Sequence, residues 1–292
     1  MKLRYLLSYS VNFLVFFHRI HELLSSNSLN CVRVLTYHHI PESKLWQFKH
    51  QINYLASKYV FITPVQFQEF VQKKQHISGI NLLITFDDGF KSNFLVAKEV
   101  LNPLGIKGIF FVPTNFIGQS DRKYQKEFIV KKIFNGDNEN TEISSDMEPL
   151  TWGDLKYLLE HGHVIGSHGY HHRCLSLIYS QNDLYEEIIE SGDMLEKKLG
   201  VPISYFAYPF GDINSINKHT VDLIKGRYKY CFSGVRGANY FPVSSYAILR
   251  DSISLNDPLM YVRFIIENGV DIMYRRKIKK LLALTRDRVS PI

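Results

Sequence analysis

Short apolar runs alternate with stretches of helical spacing along the middle of the chain. The apolar runs predict buried strands at 32–37, 81–86, 108–112, 163–167, 203–208 and 246–249. Apolar residues at helical spacing predict helices at 47–57, 92–101, 151–160 and 180–199. Strands that alternate with helices predict a parallel sheet with helical crossovers, either open or closed into a barrel.

The two ends of the chain depart from this alternation. Residues 1–30 carry Lys2 and Arg4 before an apolar and aromatic stretch that serines interrupt, so a clean membrane span of about 20 residues is not expected. We predict an amphipathic helix there, which lies on a membrane surface or docks on the protein. Residues 256–292 contain the basic run 275–280 and predict a helical extension, whose cations suit either water or anionic lipid. A catalytic barrel is expected between them, over 31–255.

Composition and charge exclude several classes of protein. With 45% hydrophobic and 22% charged residues among 292, the chain has globular composition rather than that of a disordered or fibrous protein. The formal charge of +7 suits phosphates or anionic lipid, but it is too small and too dispersed to indicate a nucleic-acid partner. Three widely spaced cysteines predict no disulfide framework. We expect a reducing location, in the cytoplasm or at the inner membrane, with export left open.

Four of the predicted strands end in strings that carry histidines, aspartates or a Pro-Phe-Gly turn. They are Tyr37-His38-His39, Asp87-Asp88-Gly89, His168-Gly169-Tyr170-His171-His172 and Pro209-Phe210-Gly211. The carboxyl ends of parallel strands meet at one edge of a sheet, where the active sites of such folds lie. Two carboxylates and several imidazoles are therefore expected to converge there.

The residue types at this edge are those of a hydrolytic metal site. Adjacent buried carboxylates repel each other unless a cation takes one of them, although a solvated Asp-Asp-Gly turn is the plain alternative. His168 and His172 are four residues apart and can share one ion, with His171 as a competitor for the second place. The remaining carboxylate could then act as a general base, and a histidine on the opposite rim could act as a general acid. A backbone N–H after Tyr208 and Pro209 could donate to the oxyanion.

The same strings resemble the motifs of the polysaccharide deacetylases (carbohydrate esterase family 4, the NodB-homology domain). The segments 85–89, 166–172 and 206–211 resemble the first, second and third motifs of that family, in the same order. The resemblance implies an α/β fold, an irregular (β/α) barrel of about seven strands, here with extra N- and C-terminal helices. It implies Asp87 as catalytic base and Asp88, His168 and His172 as metal ligands.

The resemblance also extends beyond the metal ligands. It implies the backbone N–H of Phe210 as an oxyanion donor, beside Tyr208 and Pro209 as substrate-binding residues. Segment 34–40 resembles the branch that acts on poly-N-acetylglucosamine, in which a Tyr-His pair supplies the acid, here His38. The family's arginine next to the base is replaced by Ala207, so Arg250 is assigned to orienting the base or binding substrate, with a surface ion pair as the alternative.

Together these features predict a metal-dependent hydrolase that removes N-acetyl groups from amino sugars and releases acetate. Zinc is the expected divalent metal, with cobalt, iron, manganese or nickel as alternatives. The expected partner is an N-acetylated glycan or a lipid-linked amino sugar, with peripheral membrane contact as a further hypothesis. Alternative functions are a deformylase or O-acetyl esterase with the same site, or a non-catalytic glycan-binding protein.

Overall fold

The computed structural model describes residues 30–74, 76–136 and 142–286. The strands are β1 (Cys31–Tyr37), β2 (Val60–Phe61), β3 (Ile80–Phe86), β4 (Gly108–Val112), β5 (Val164–Ser167), β6 (Tyr205–Ala207), β7 (Tyr230–Phe232), β8 (Asn239–Tyr240) and β9 (Asp251–Ser252). The α-helices are α1 (Leu45–Ala56), α2 (Pro64–Val71), α3 (Lys91–Val96), α4 (Arg122–Glu127), α5 (Trp152–Glu160), α6 (Gln181–Tyr185), α7 (Ser191–Leu199), α8 (Lys218–Arg227), α9 (Leu259–Ile266) and α10 (Asp271–Thr285).

The strands form one curled sheet that makes a half-barrel. Along its main path the order is β7-β6-β5-β4-β3-β1-β8, with β2 paired to β3 and β9 paired to β1. The pairs from β7 to β1 are parallel, whereas β8 runs antiparallel to β1. The predicted α/β barrel of about seven strands is therefore confirmed. The predicted helix over 1–30 lies outside the described residues, and the division into 31–255 and 256–292 stays a prediction.

Alternate residues of the buried strands pack on opposite faces of the sheet. On β1, Leu35 and Tyr37 join one large cluster, while Val32 and Val34 join a second cluster with Phe111 and with Phe67 of α2. Both faces of the sheet are covered, which explains why these strands appear in the sequence as continuous apolar runs. The carboxyl ends of β1, β3, β5 and β6 are thereby held at one edge.

Several predicted elements keep their place but change in detail. The capping box at the start of α5 forms as expected, because the side chains of Thr151 and Asp154 each accept the other's backbone N–H. The predicted helix 180–199 is α6, a π-helical segment Glu186–Glu190 and α7, and it ends at Gly200 with φ +71°. The predicted strand 246–249 is wrong: it is reduced to a single bridge between Ile248 and Phe232.

Among the residues that the structure describes, no helix has both the length and the apolar character needed to cross a lipid bilayer.

Candidate active site

The first motif places two buried carboxylates at the end of β3. Asp87 and Asp88 are 3% and 4% exposed, and Asp88 adopts a left-handed backbone conformation with φ +74°. Gly89 follows at φ +68°, and a Cβ there would lie 2.9 Å from Cδ1 of Ile117. The turn therefore needs glycine at this position. Its geometry brings both carboxylates to the same edge of the sheet.

The second motif holds two imidazoles by their Nδ1 atoms. His168 Nδ1 lies 2.9 Å from the carbonyl oxygen of Ala207, and His172 Nδ1 lies 2.9 Å from that of Lys132. A carbonyl only accepts, so each Nδ1 carries the proton and each Nε2 presents a lone pair. Burial lowers the pKa of both histidines, which favours the neutral form that binds metals.

The three expected metal ligands converge. The Nε2 atoms of His168 and His172 lie 3.7 and 3.5 Å from Oδ1 of Asp88. One ligand atom from each of the three lies within 4.8 Å of the others, and all three residues are buried. His171 is turned away, with its Nδ1 3.4 Å from Glu187, so the structure brings His172 rather than His171 to Asp88.

The donor set fits a divalent cation. One carboxylate and two neutral imidazoles are a common ligand set for zinc, cobalt, iron or manganese. Burial raises the pKa of the Asp88 carboxyl above its usual range, and nearby His38 and His172 oppose this rise only in part. A cation between the three side chains would remove this cost of burying the Asp88 charge.

Asp87 is held by an arginine that lies 163 positions further along the chain. Arg250 donates from Nη1 and Nη2 to the two Asp87 oxygens at 2.7 and 2.8 Å, and its Nε donates to the Ser233 carbonyl at 2.7 Å. Burial alone raises the pKa of Asp87, but the charges of Arg250 and His168 outweigh it and hold that pKa at about 2. Arg250 is 2% exposed, so the surface ion pair considered for it is wrong.

These residues lie in a cavity of about 220 Å³ at the edge of the sheet. His38, Asp87, Asp88, Phe210 and Arg250 are among the residues that line it. His38 is exposed at the rim, and Asn93 donates to its carbonyl oxygen at 2.9 Å. The predicted acid is therefore beside the predicted base and ligands, although its role stays a prediction.

The third motif is a tight turn. The Gly211 N–H donates to the Tyr208 carbonyl at 2.9 Å, and Phe210 takes φ +63° at the third position of this turn. The Phe210 ring is 43% exposed and lies 4.8 Å from the His172 ring. The Tyr208 hydroxyl donates to the Tyr246 carbonyl at 2.8 Å, which occupies its proton, and Pro209 is buried. Tyr208 lines the cavity, whereas Pro209 is not among the lining residues.

Sequence reasoning missed a buried carboxylate behind the histidine loop. Both carboxylate oxygens of Glu187 accept a hydrogen bond from the backbone N–H of His171, each at 3.0 Å. Glu187 Oε1 also accepts one from the backbone N–H of Arg173 at 2.9 Å. A Cβ on Gly169, at φ +81°, would lie 2.6 Å from Glu187 Oε1, so the loop closes tightly over this carboxylate. The available signal was an acidic residue three positions after Leu184 in the apolar stripe of a predicted helix.

The chain is similar to known proteins in both sequence and fold. The family model of the polysaccharide deacetylases matches residues 74–225, just over half of the 292 residues. The chain belongs to the polysaccharide deacetylase family. This membership assigns it a hydrolase activity on acetylated glycans, in a family whose members are generally metal-dependent. The comparison with curated proteins found no match.

Solved structures show the same fold at low sequence identity. IcaB from Ammonifex degensii is 21% identical, with a TM-score of 0.63 over 82% of this chain and 98% of that one. The Streptococcus pyogenes deacetylase PplD, solved in complex with acetate, is 18% identical, with a TM-score of 0.63 over 82% and 99%. The de-N-acetylase from Aggregatibacter actinomycetemcomitans is 14% identical, with a TM-score of 0.63 over 80% and 99%.

Proposed function

We propose that this polysaccharide deacetylase is a metal-dependent hydrolase of C–N bonds. It removes N-acetyl groups from the amino sugars of a polysaccharide or a lipid-linked glycan and releases acetate. The observation that carries this proposal is the convergence of Asp88, His168 and His172 beside a separate carboxylate, Asp87, that Arg250 holds in place. Three candidate metal ligands and a separate carboxylate thus line one cavity, which supports a metal site with a general base beside it.

Asp88, His168 and His172 would hold a divalent ion, for which zinc is the first choice and cobalt, iron, manganese or nickel are alternatives. When bound, such an ion polarises the acyl oxygen and makes a water molecule more acidic. The neutral state of both imidazoles and the burial of all three ligands support this assignment.

The protein's own groups account for the proton transfers. Asp87 is ionised at neutral pH because Arg250 keeps its pKa at about 2, so it can accept a proton from the attacking water. The backbone N–H of Phe210 donates to the oxyanion that develops on the acyl oxygen. His38, at the rim of the same cavity, gives a proton to the nitrogen as the C–N bond breaks. The products are acetate and a free amine.

The exposed face of α10 supports a location at a membrane. Arg275 and Arg276 are exposed, and Ile272 and Met273 beside them are 67% and 77% exposed. Cations next to apolar side chains favour contact with anionic lipid. We therefore propose peripheral contact with the inner membrane, which co-sedimentation with anionic and neutral vesicles tests directly.

The decisive experiment measures products from a matched panel of substrates. Free amine, acetate and formate are quantified after incubation with N-acetylated, N-formylated and O-acetylated sugars, including lipid-linked ones. Amine and acetate from the first group support the proposal. Formate, or acetate from the O-acetylated sugars alone, would assign the site to the deformylase or esterase alternative, and no product at all would favour a glycan-binding protein.

Metal removal tests the centre itself. Chelation should abolish activity, and one equivalent of divalent metal should restore it, because three buried ligands point at one place. His168→Ala should lose bound metal and activity together, while His161→Ala, on the exposed end of α5, should keep both. Full activity in protein without stoichiometric metal would show that this mechanism is wrong.

A further inference from the structure

A second cavity adjoins the catalytic one. It measures about 370 Å³, and His172 and Phe210 line both cavities. We call it the basic cleft; its other lining residues are Lys131, Lys132, Asn135, Arg173, Cys174, Leu177 and Ile178. A chain of sugars with one residue in the catalytic cavity would place a neighbouring residue here.

Positive charge dominates the lining of the basic cleft. Lys131, Lys132 and Arg173 carry cations, and among the described residues that line it there is no carboxylate. Lys131 pairs with Glu127 and Arg173 pairs with Asp183, each at 2.8 Å. These carboxylates are 55% and 43% exposed, so the pairs are weak and a bound anion can add to them or replace them.

The backbone that carries these cations is held next to the catalytic residues. Lys131 and Lys132 belong to the π-helical segment Phe128–Ile133, and the Lys132 carbonyl receives the His172 Nδ1 proton. Arg173 follows His172 directly, and its backbone N–H binds Glu187. An anion held here would therefore lie beside the catalytic cavity, with which the basic cleft shares His172 and Phe210.

Part of the lining of the basic cleft is apolar. Leu177 is 65% exposed, Phe210 is 43% exposed, and Ile178 lies beside them. Apolar and aromatic surfaces of this kind pack against the C–H face of a sugar ring, while cations bind its charged substituents. The combination suits an acidic sugar better than a neutral one.

We propose that the basic cleft binds an anionic group, phosphate or carboxylate, on the sugar next to the N-acetylated residue. The substrate is then an acidic or phosphate-linked N-acetyl glycan rather than a neutral polymer. This inference rests on the proposed function and narrows its substrate class. The phosphate and the carboxylate sources share the same chemistry, and the experiment separates them.

The test compares three matched disaccharides of N-acetylglucosamine: one neutral, one with a phosphate on the neighbouring position and one with a uronic acid there. We expect an anionic substrate to have a KM about tenfold lower than the neutral one, an advantage that shrinks as salt rises. Whichever anionic substrate has the lower KM identifies phosphate or carboxylate as the natural group.

Two variants test whether the cations of the basic cleft cause the difference in KM between neutral and anionic substrates. Lys132→Gln combined with Arg173→Gln keeps the backbone contacts to His172 and Glu187 and should bring the KM ratio close to one. Lys156→Gln removes an exposed cation on α5 and should leave the ratio as in the wild type. Equal KM values for neutral and anionic substrates in the wild type would overturn the inference.

Binding separates this inference from the proposed function. If none of the disaccharides is hydrolysed, the proposed function fails on these substrates. Calorimetric titration of the same compounds still tests whether the basic cleft prefers an anionic disaccharide. Tighter binding of an anionic disaccharide, lost in the double variant, supports the inference. Equal affinity for all three compounds overturns it.

Discussion

Two buried arginines, Arg250 and Arg33, each pair with an aspartate, but the two ion pairs lie in different surroundings. Arg250 and Asp251 are neighbours, yet Arg250 reaches Asp87 in the catalytic cavity, while Asp251 reaches Arg33 at 2.9 Å. Arg33 also donates to Asp271 at 2.9 and 2.7 Å, to Asn268 at 3.2 Å and to the carbonyl of Ile265. One arginine faces the cavity, and the other ties α9 and α10 to the sheet.

The two ion pairs differ in whether a substrate can reach them. Burial raises the pKa of Asp251 to about 6 although Arg33 opposes the rise, whereas Arg250 and His168 hold the pKa of Asp87 at about 2. Asp87 lines a cavity that a substrate can enter, whereas Arg33 and Asp251 are fully buried. A buried ion pair therefore indicates catalysis only when space for a reactant lies beside it.

The largest effect is expected from Asp87→Asn. An amide cannot accept the proton from water, so kcat/KM should fall by about 10²–10⁴-fold, while bound metal and the fold are retained. Activity assays with metal analysis of the same sample make the measurement. Asp121→Asn, which keeps a good N-cap on α4, serves as control. A near-normal rate in the Asp87 variant would remove it as base.

Arg33→Met should act on stability instead. Removing Arg33 leaves buried Asp251 with only Arg236, at 4.0 Å, and removes the arginine from Asp271. The free energy of unfolding should therefore drop by about 3–5 kcal/mol in urea denaturation. Adding Asp251→Asn should recover part of the loss. The folded variant should keep kcat/KM close to that of the wild type, and a loss as large as that of Asp87→Asn would contradict the comparison.

Arg250→Lys should change the pH dependence of catalysis. Lysine keeps the positive charge but cannot donate to both Asp87 oxygens, so the rise of the Asp87 pKa on burial is opposed less strongly. Asp87 serves as base only when ionised, so the acid limb of the kcat/KM profile should move to higher pH. At neutral pH we expect a loss of up to about 10²-fold from misplacement of the base. An acid limb that stays at the wild-type pH would show that Arg250 does not tune Asp87.

Glu187→Gln should have the smallest effect of the four. Its carboxylate anchors the loop around His172, so the variant should bind cobalt or zinc about tenfold more weakly. Calorimetry and the cobalt absorption spectrum measure this without turnover. Glu190→Gln, at an exposed position of the same π-helical segment, is the matched control. Unchanged affinity in the Glu187 variant would make its role purely structural.

The sequence predicted what local patterns encode. Continuous apolar runs located β1, β3 and β4 to within one residue. The residues after β3 and β5 located both carboxylates and both imidazoles. Strands of two residues, such as β2, β8 and β9, have no periodicity to recognise and were missed. The predicted strand 246–249 failed because its apolar residues serve packing, with one bridge in place of a ladder.

Contacts between distant residues were beyond any local pattern. Arg250 and Asp87 are 163 positions apart, and Arg33 and Asp271 are 238 apart. The resemblance directed attention to Arg250, but the partner of its neighbour Asp251 needed the folded sheet. Arg33 stood unnoticed inside the apolar run of β1, where a charged residue is itself a sign of a buried partner.

Three residues of the site, Asp88, His172 and Phe210, stand in left-handed backbone conformations at φ +74°, +57° and +63°. Each costs a non-glycine residue roughly 1–3 kcal/mol, and the surrounding fold must tolerate that burden. The rest of the fold therefore supplies enough stability to offset the cost of these three conformations. A relative that no longer needs catalysis would gain thermal stability from glycine or asparagine at these positions. Such replacements in a relative would therefore indicate that it has lost the activity.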